Sequence, residues 1–368
     1  MPDAERDGLP DRTWAEVDVG AIRSNARALL SAAGGRAELL AVVKADAYGH
    51  GSVRAARALS DIAAIFGVAC VGEALTLDAG QVLLLSPCIP GEREEAVRRG
   101  LIVTVSSASE ARAFAAIGPC RINFKVDTGM GRIGCWHEKA MEELGEIVRL
   151  PGITIHSLST HLPSADDDPV YTQEQLRLWA RLRKDLGALA PGARFHACNS
   201  AACFHFDADP GDFVRGGLAL YGYGFPVDAS PPLRPALTWK ARVLMVRDVG
   251  AGRTISYGRT HVTPRPTRLA TLAAGYADGY PIQASGRGAE VVLHGVRCPV
   301  VGRITMDQII VDVGGVPHVE AGDTAVLLGC GIGADRLAAL AGSIPWQILT
   351  AIGSRVRRVT VGNNADAA

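Results

Sequence analysis

Net charge is the first thing this sequence lacks. Its 38 lysines and arginines are matched by 38 aspartates and glutamates, so it has no basic footprint of the kind that general nucleic-acid binding needs. Long apolar runs are missing too. Nothing approaches the ~18 consecutive apolar residues that span a bilayer, and Met1–Arg12 lacks the apolar stretch of a signal peptide. The eight cysteines, at 70, 88, 120, 135, 198, 203, 298 and 330, include no CxxC pair and no regular spacing. That argues against zinc and for reduced, buried thiols. No metal is expected, and the chain reads as cytoplasmic, without membrane or nucleic-acid partners. Aromatic residues are few, at 5%, whereas 48% of residues are hydrophobic, which is ample for a core and excludes disorder as the dominant state. Glycine is in excess, 42 residues or about 11% where ~7% is usual. Many tight loops and close backbone approaches follow.

A length of 368 residues predicts one large domain and a smaller one, at ~150 residues per domain. From residue 38 to 222, short apolar runs alternate with amphipathic stretches. The runs predict strands over Leu39–Lys44, Ala63–Val71, Val82–Ser86, Ile102–Ser106, Ile122–Asp127, Ile153–His161, Phe195–Ser200 and Phe213–Tyr221. Helices are predicted over Ser52–Leu59, Gly72–Ala79, Glu92–Arg99, Ala108–Ile117, His137–Leu150, Val170–Leu189 and Asn199–His205. Ser107, with Glu110 three residues on, makes a capping-box pattern before the fourth of these. Near-continuous apolar strands separated by helices are parallel strands covered on their outer face. Eight such units predict an α/β fold, a (β/α)8 TIM-type barrel, over residues 20–235.

Pro226, Pro231, Pro232 and Pro235 mark a junction. Beyond it a mainly β C-terminal domain, 236–368, is expected, with strands at Leu237–Val249, Thr254–Tyr257, Leu269–Leu272, Glu290–Leu293, Val296–Val301, Ile309–Val313, Thr324–Leu328 and Val356–Val361. Val292–Val296 reads as a hairpin and Ala334–Gly342 as a helix. The alternating segment 13–19 predicts a strand able to join this second domain.

Barrels of this type build their chemistry at the C-terminal ends of the strands, so the polar residues that close each apolar run are the candidates. Lys44 closes the first. A lysine there is partly desolvated, which favours the neutral amine, and neutral amines form Schiff bases with carbonyls. Taken alone, Lys44 fits a lysine snorkelling to solvent equally well. The fifth run ends in Lys125-Val126-Asp127-Thr128-Gly129 with Arg132 beyond, the sixth in His161, the seventh in Asn199-Ser200, and the eighth carries Arg215-Gly216-Gly217 and then Tyr221. Asn199-Ser200 opening a helix, followed by Gly216-Gly217, suits a phosphate cup as well as ordinary loop chemistry. A phosphate cup and a Schiff-base lysine in one mouth suggest pyridoxal phosphate. Arg215, inside an apolar strand, is either a structural ion pair or faces a ligand. In the second domain Ser256-Tyr257-Gly258-Arg259 and Gly275–Pro281 stand out as polar, glycine-flanked loops.

Together these segments resemble bacterial alanine racemase, a pyridoxal-phosphate enzyme with a barrel and a C-terminal β-domain. The resemblance runs from Trp14-Ala15-Glu16-Val17-Asp18 to Arg355-Val356-Arg357-Arg358, and its most specific piece is the run 41–51, AVVKADAYGHG. The run 125–134, KVDTGMGRIG, is nearly as specific; Gly275–Gly279 and Gly302–Gln308 carry the second domain. The resemblance implies that Lys44 forms the internal aldimine and acts on the D-isomer's face. It implies that Tyr257, from the partner subunit of a homodimer, acts on the L-isomer's face. His161 would bond Tyr257 and Arg215, and Arg215 would contact the pyridine nitrogen, keeping it unprotonated and the ring a poorer electron sink. Tyr48, Ser200, Gly217 and Leu218 would surround the phosphate, with Tyr221 nearby. Arg132 and the amide of Met306 of the partner subunit would bind the substrate carboxylate, Lys125 could carry a carbamate that orients Arg132, and Tyr276 and Asp278 would line the access channel. The implied role is D-alanine supply for peptidoglycan precursors.

One position departs from the family: Ser354 stands where a tyrosine often contacts the phosphate. It leaves open a broader or serine-preferring amino-acid racemase. Two other classes stay in view. A non-catalytic carrier of the cofactor would need no second base such as Tyr257. A decarboxylase or aldolase would benefit from a stronger electron sink than Arg215 allows.

Overall fold

The structure, a computed structural model, describes residues 9–224 and 232–362; Pro226 and Pro231 of the proline-rich junction lie outside them. The chain divides into two compact units, one of residues 22–47 and 52–234, the other of residues 1–21, 48–51 and 235–368.

The first unit is a parallel barrel. Its strands are Glu38–Val42, Ala63–Val68, Gln81–Leu84, Ile102–Val105, Cys120–Asp127, Ile153–Ser159, Arg194–His196 and Phe213–Gly216, hydrogen-bonded in that order with the last returning to the first. Between the seventh and eighth, Arg215 N–H donates to the Cys198 carbonyl at 3.0 Å, which nearly closes the ring. The runs are apolar because both faces are covered: Ile102–Val105 and the last six residues of Cys120–Asp127 are buried throughout. The predicted strands all exist, and all but the fifth, which ends at Asp127 as expected, are shorter at their C-terminal ends, where the chain leaves the ladder to build loops.

Two differences have clear causes. Leu218–Tyr221, predicted as the end of the eighth strand, is a 3-10 turn that begins after Gly217 and ends at left-handed Gly222; its apolar residues are buried without any ladder. The helix Val19–Ala32 is not signalled by the sequence, because Gly20, Ser24 and Asn25 are weak helix formers. The Ser107 cap accepts the Glu110 N–H at 3.2 Å, while the Glu110 carboxylate reaches the N–H of Ser106 rather than that of Ser107.

In the second unit the sheet runs Val296–Pro299, Glu290–Leu293, Thr324–Leu328, Leu237–Val249, Thr13–Asp18, Arg357–Val361. Leu237–Val249 is long enough to serve two layers. Its first half pairs with Thr13–Asp18 and Thr324–Leu328, its second, past a bulge between Val243 and Met245, with Thr267–Leu272. Thr13–Asp18 buries every second residue, as alternation requires, and lies between Leu237–Val249 and Arg357–Val361. Trp239 is fully buried and packs on Tyr280 with ring centroids 5.9 Å apart. The helix Pro345–Ala351 is too short to show a period in the sequence.

Candidate active site

The first barrel strand hands the chain to a turn that the residue types do not announce. Ala45, Asp46, Ala47 and Tyr48 have φ of 52°, 52°, 53° and 53°. Lys44–Gly49 is therefore a left-handed helical turn, with the Ala47 N–H donating to the Val43 carbonyl at 2.8 Å. Each such residue costs roughly 1–2 kcal/mol, so the surroundings must hold the turn in place. Glu73 does this from one side: its Oε1 accepts the Ala45 N–H at 2.8 Å and its Oε2 the Ala69 N–H at 2.7 Å. From the other, Asp46 Oδ1 accepts the Ser52 N–H at 2.7 Å. Lys44 heads the turn. Burial, then the charge of Arg132, lowers its amine below the ordinary lysine range, and Glu73 pulls the other way.

Arg215, buried on the eighth strand, is tied four times. Its Nη1 donates to His196 Nδ1 at 2.8 Å and to the His196 carbonyl at 3.1 Å; its Nη2 donates to His161 Nδ1 at 3.1 Å and to the Ala197 carbonyl at 2.6 Å. A guanidinium has donors only, so both Nδ1 atoms are acceptors and each ring carries its single proton on Nε2. Burial, reinforced by Arg215, holds both imidazoles well below the usual histidine range. Arg215 is pushed down to about 10 by burial and stays a cation at neutral pH. Its Nε is the donor left without a partner among the described residues.

Lys125, Ser159 and His196 occupy one register level on the fifth, sixth and seventh strands. Burial, Arg215 and Arg132 hold the Lys125 amine well below the lysine range, against Asp127. The His196 Nε2 and Ser159 Oγ are buried without partners among the described residues. Arg132 is carried by a loop that Asp127 organises: its Oδ1 accepts the N–H of Gly129 at 2.8 Å and Met130 at 2.7 Å, and its Oδ2 those of Gly131 at 2.8 Å and Arg132 at 3.3 Å. The Arg132 guanidinium has no carboxylate partner among the described residues.

At the seventh and eighth strand ends, Asn199 accepts the Ala202 N–H and so caps Ser200–His205, and the Gly217 N–H donates to Ser200 Oγ at 3.0 Å. Ser200, Gly217 and Leu218 are thus brought together. Tyr221 is fully buried and its hydroxyl donates to the Val42 carbonyl at 2.9 Å, a tie within the barrel rather than a free ligand group.

The remaining candidates lie in the other unit. Burial raises the Tyr48 phenol to about 12, which keeps it a donor. Tyr257 is 72% exposed on a loop with Ser256, Gly258 and Arg259 all at positive φ. Met306 is exposed; its carbonyl accepts the Ala277 N–H, and that of Thr305 the Tyr276 N–H, both at 3.0 Å. Gly275 permits this zippering, since a Cβ there would lie 2.3 Å from both carbonyl oxygens. Tyr276 is exposed. Asp278 is not: it is 2% exposed, and its carboxylate accepts the Gly275 N–H at 2.9 Å and pairs with Arg355 at 3.3 Å. It braces its loop. Ser354 is exposed.

The alanine racemase N-terminal domain family model matches residues 17–224, and the alanine racemase C-terminal domain model residues 236–360. The chain belongs to the alanine racemase family. Alanine racemase of Symbiobacterium thermophilum is 40% identical over 375 residues, 96% of this chain and 98% of that one; that of Desulfosudis oleivorans is 39% identical over 383 residues, with the same coverage. The crystal structure of alanine racemase from Streptomyces lavendulae superposes with a TM-score of 0.88 at 37% identity, covering 96% of this chain and 98% of that one. That of Bartonella henselae, described with covalently bound pyridoxal phosphate, gives 0.84 at 30% identity, covering 96% and 100%.

Within this racemase fold, three residues have roles that the sequence does not assign them. His196 shares the fixing of Arg215 with His161; its only signal in the sequence is a polar residue inside a predicted strand. Asp127 stands in its motif without a role of its own. Glu73 gives no signal at all, since a lone glutamate in a short helix is ordinary. All eight cysteines are free thiols. Among the described residues no group of three His, Cys, Asp or Glu side chains gathers to hold a metal, and no helix is long and apolar enough to cross a membrane.

Proposed function

We propose that the protein interconverts L-alanine and D-alanine with pyridoxal phosphate and two bases on opposite faces of the substrate. The observation that carries this reading is the barrel mouth itself: an amine held toward its neutral form, Lys44, follows the first strand, and the strand paired with it carries an arginine, Arg215, fixed by two neutral histidines. The residues suit the cofactor. Ser200 with the Gly217 and Leu218 amides receives a phosphate, Tyr48 offers a protonated phenol, and Arg215 Nε is the unused donor for the ring nitrogen. The cations Arg132 and Arg215 favour a doubly anionic guest. Bound there, pyridoxal phosphate supplies an aldehyde for an amine and a ring that delocalises the charge left at Cα.

This chain's own residues do the rest. Arg215 cannot release its proton at neutral pH, so the ring nitrogen is not protonated and charge is not drawn far from Cα. Lys44 holds or releases a proton on one face. Tyr257 of the partner subunit does so on the other, near the Nε2–H of His161, in a homodimer whose sites need both chains. Arg132 and the backbone amide of Met306 of the partner subunit orient the substrate carboxylate. Lys125, as a neutral amine, can add carbon dioxide with loss of a proton, and the resulting anion faces Arg132. The product's place is D-alanine supply for peptidoglycan in the cytoplasm.

Replacing Tyr257 with Phe tests the two-base part. Chiral chromatography should show conversion from L-alanine abolished while borohydride still fixes the cofactor to Lys44. Full activity in both directions refutes it.

A further inference from the structure

The turn that carries Lys44 is strained, with four consecutive non-glycine residues near φ +52°. Sequence gives no reason for it, since runs of this kind are otherwise the territory of single glycines. A conformation this costly persists only where neighbours over-determine it. On the barrel side, the neighbour is one carboxylate.

We infer that Glu73 is the positioning residue of Lys44: its carboxylate bridges the left-handed turn to the end of the second barrel strand and supplies the negative charge that faces the amine. The reasoning rests on Lys44 being the reactive amine, as proposed above. Its first support is geometric. Oε1 takes the N–H of Ala45, the residue directly after Lys44, at 2.8 Å; Oε2 takes the N–H of Ala69, directly after Ala63–Val68, at 2.7 Å. Charge-assisted bonds to both oxygens fix the carboxylate in plane and orientation, and through it the start of the turn is held to the neighbouring strand. Its second support is electrostatic. Around Lys44 stand Arg132, from the loop after Cys120–Asp127, which disfavours an ammonium, and His161, after Ile153–Ser159, which is neutral. Asp46 on the same turn is engaged with the Ser52 N–H. Glu73 is the carboxylate that acts on the amine in the opposite sense to Arg132.

Glu73 therefore does two things at once that a capping residue does not: it sets where the Nζ points and how readily it takes a proton. Glu73→Gln separates them, keeping an oxygen for one N–H while removing the charge; Glu73→Ala removes both.

The test reads Lys44 directly. In the full-length chain freed of cofactor, pH-dependent acylation of Lys44 by acetic anhydride, followed by mass spectrometry, gives the midpoint of its amine. Glu73→Gln should move that midpoint down by about 1 pH unit. In the holoenzyme, kcat should fall about 10- to 100-fold with KM for alanine little changed, as expected when a reacting group is misplaced while the groups that bind the substrate stay where they were. If Glu73→Ala does not fold, Glu73→Gln alone carries the test. An unchanged midpoint in Glu73→Gln overturns the proposal, since a purely structural glutamate leaves the titration where it was. Borohydride reduction of wild-type enzyme with pyridoxal phosphate separates the two readings. Failure to fix the cofactor to Lys44 removes the underlying assignment, whereas fixation there with an unmoved midpoint removes only the role of Glu73.

Discussion

Replacing Asp127 with Ala asks how much of the Arg132 loop one carboxylate holds. The residue is 4% exposed and its side chain accepts four backbone N–H groups in succession, those of Gly129, Met130, Gly131 and Arg132. Gly131 and Arg132 lie at the surface, so their N–H groups find water when the carboxylate is gone and their loss costs little. Gly129 and Met130 are half-buried, with bonds of 2.8 and 2.7 Å. Hydrogen bonds to a charged acceptor are worth about 1.5–3 kcal/mol each, so the two together predict a loss of about 3–6 kcal/mol for the barrel. With a urea slope of about 2–3 kcal/mol/M for a unit of this size, that lowers the midpoint by about 1 M or more. The loop also presents Arg132, so KM for alanine should rise at least tenfold while the Lys44 bond to the cofactor, judged by borohydride fixation, is kept. Urea unfolding followed by circular dichroism, with steady-state kinetics in both directions, reads both effects. A wild-type midpoint together with a wild-type KM would mean that the loop is held by other means and the reasoning is wrong.

Three further outcomes follow from single sites. Ala45→Gly should leave stability unchanged or raised, because φ of 52° favours glycine, whereas the same change inside an ordinary helix costs about 1 kcal/mol; a clear loss in the urea midpoint contradicts the left-handed turn. The Tyr280 hydroxyl is buried without a partner among the described residues, so Tyr280→Phe should be neutral or stabilising by about 1 kcal/mol, and a thermal-shift loss would reveal an unrecognised bond. Burial, then the charges of Arg121 and Arg194, push the His156 imidazole down to about 4. Unfolded, it takes its proton near pH ~6.5, so the fold loses stability as pH falls from about 6.5 to about 4 and is unaffected above that window. His156→Gln should flatten the fall of the urea midpoint across that range and leave it unchanged at a pH of about 8.

Much of this architecture can be read from residue pattern, because the pattern is itself a consequence of burial. Parallel strands covered on both faces must be apolar throughout, and alternating ones half-exposed, which is why Leu237–Val249 and Thr324–Leu328 are placed to the residue. Where apolar residues are buried outside any ladder, as in Leu218–Tyr221, the same signal misleads. The site divides in the same way. Lys44, Arg215 and His161 stand out as polar groups at the ends of apolar runs, and the structure brings them into one mouth. The groups that hold them are silent, since Glu73 and Asp127 act on backbone N–H groups whose directions exist only once the chain has folded. The left-handed turn is the extreme case. Ala-Asp-Ala-Tyr contains no glycine, and only the surrounding tertiary structure forces it there.

The placing of Thr13–Asp18 between Leu237–Val249 and Arg357–Val361 has a consequence for how the chain is made. Thr13–Asp18, translated before the barrel, must wait for Arg357–Val361, translated after it, so the β-rich unit stays incomplete until that strand has been made, whereas the barrel has all its strands once Phe213–Gly216 is complete. A separately expressed fragment beginning at Ala236 would leave Arg357–Val361 without the neighbour it pairs with, and supplying a short peptide spanning Arg12–Ala21 in trans should restore that missing row.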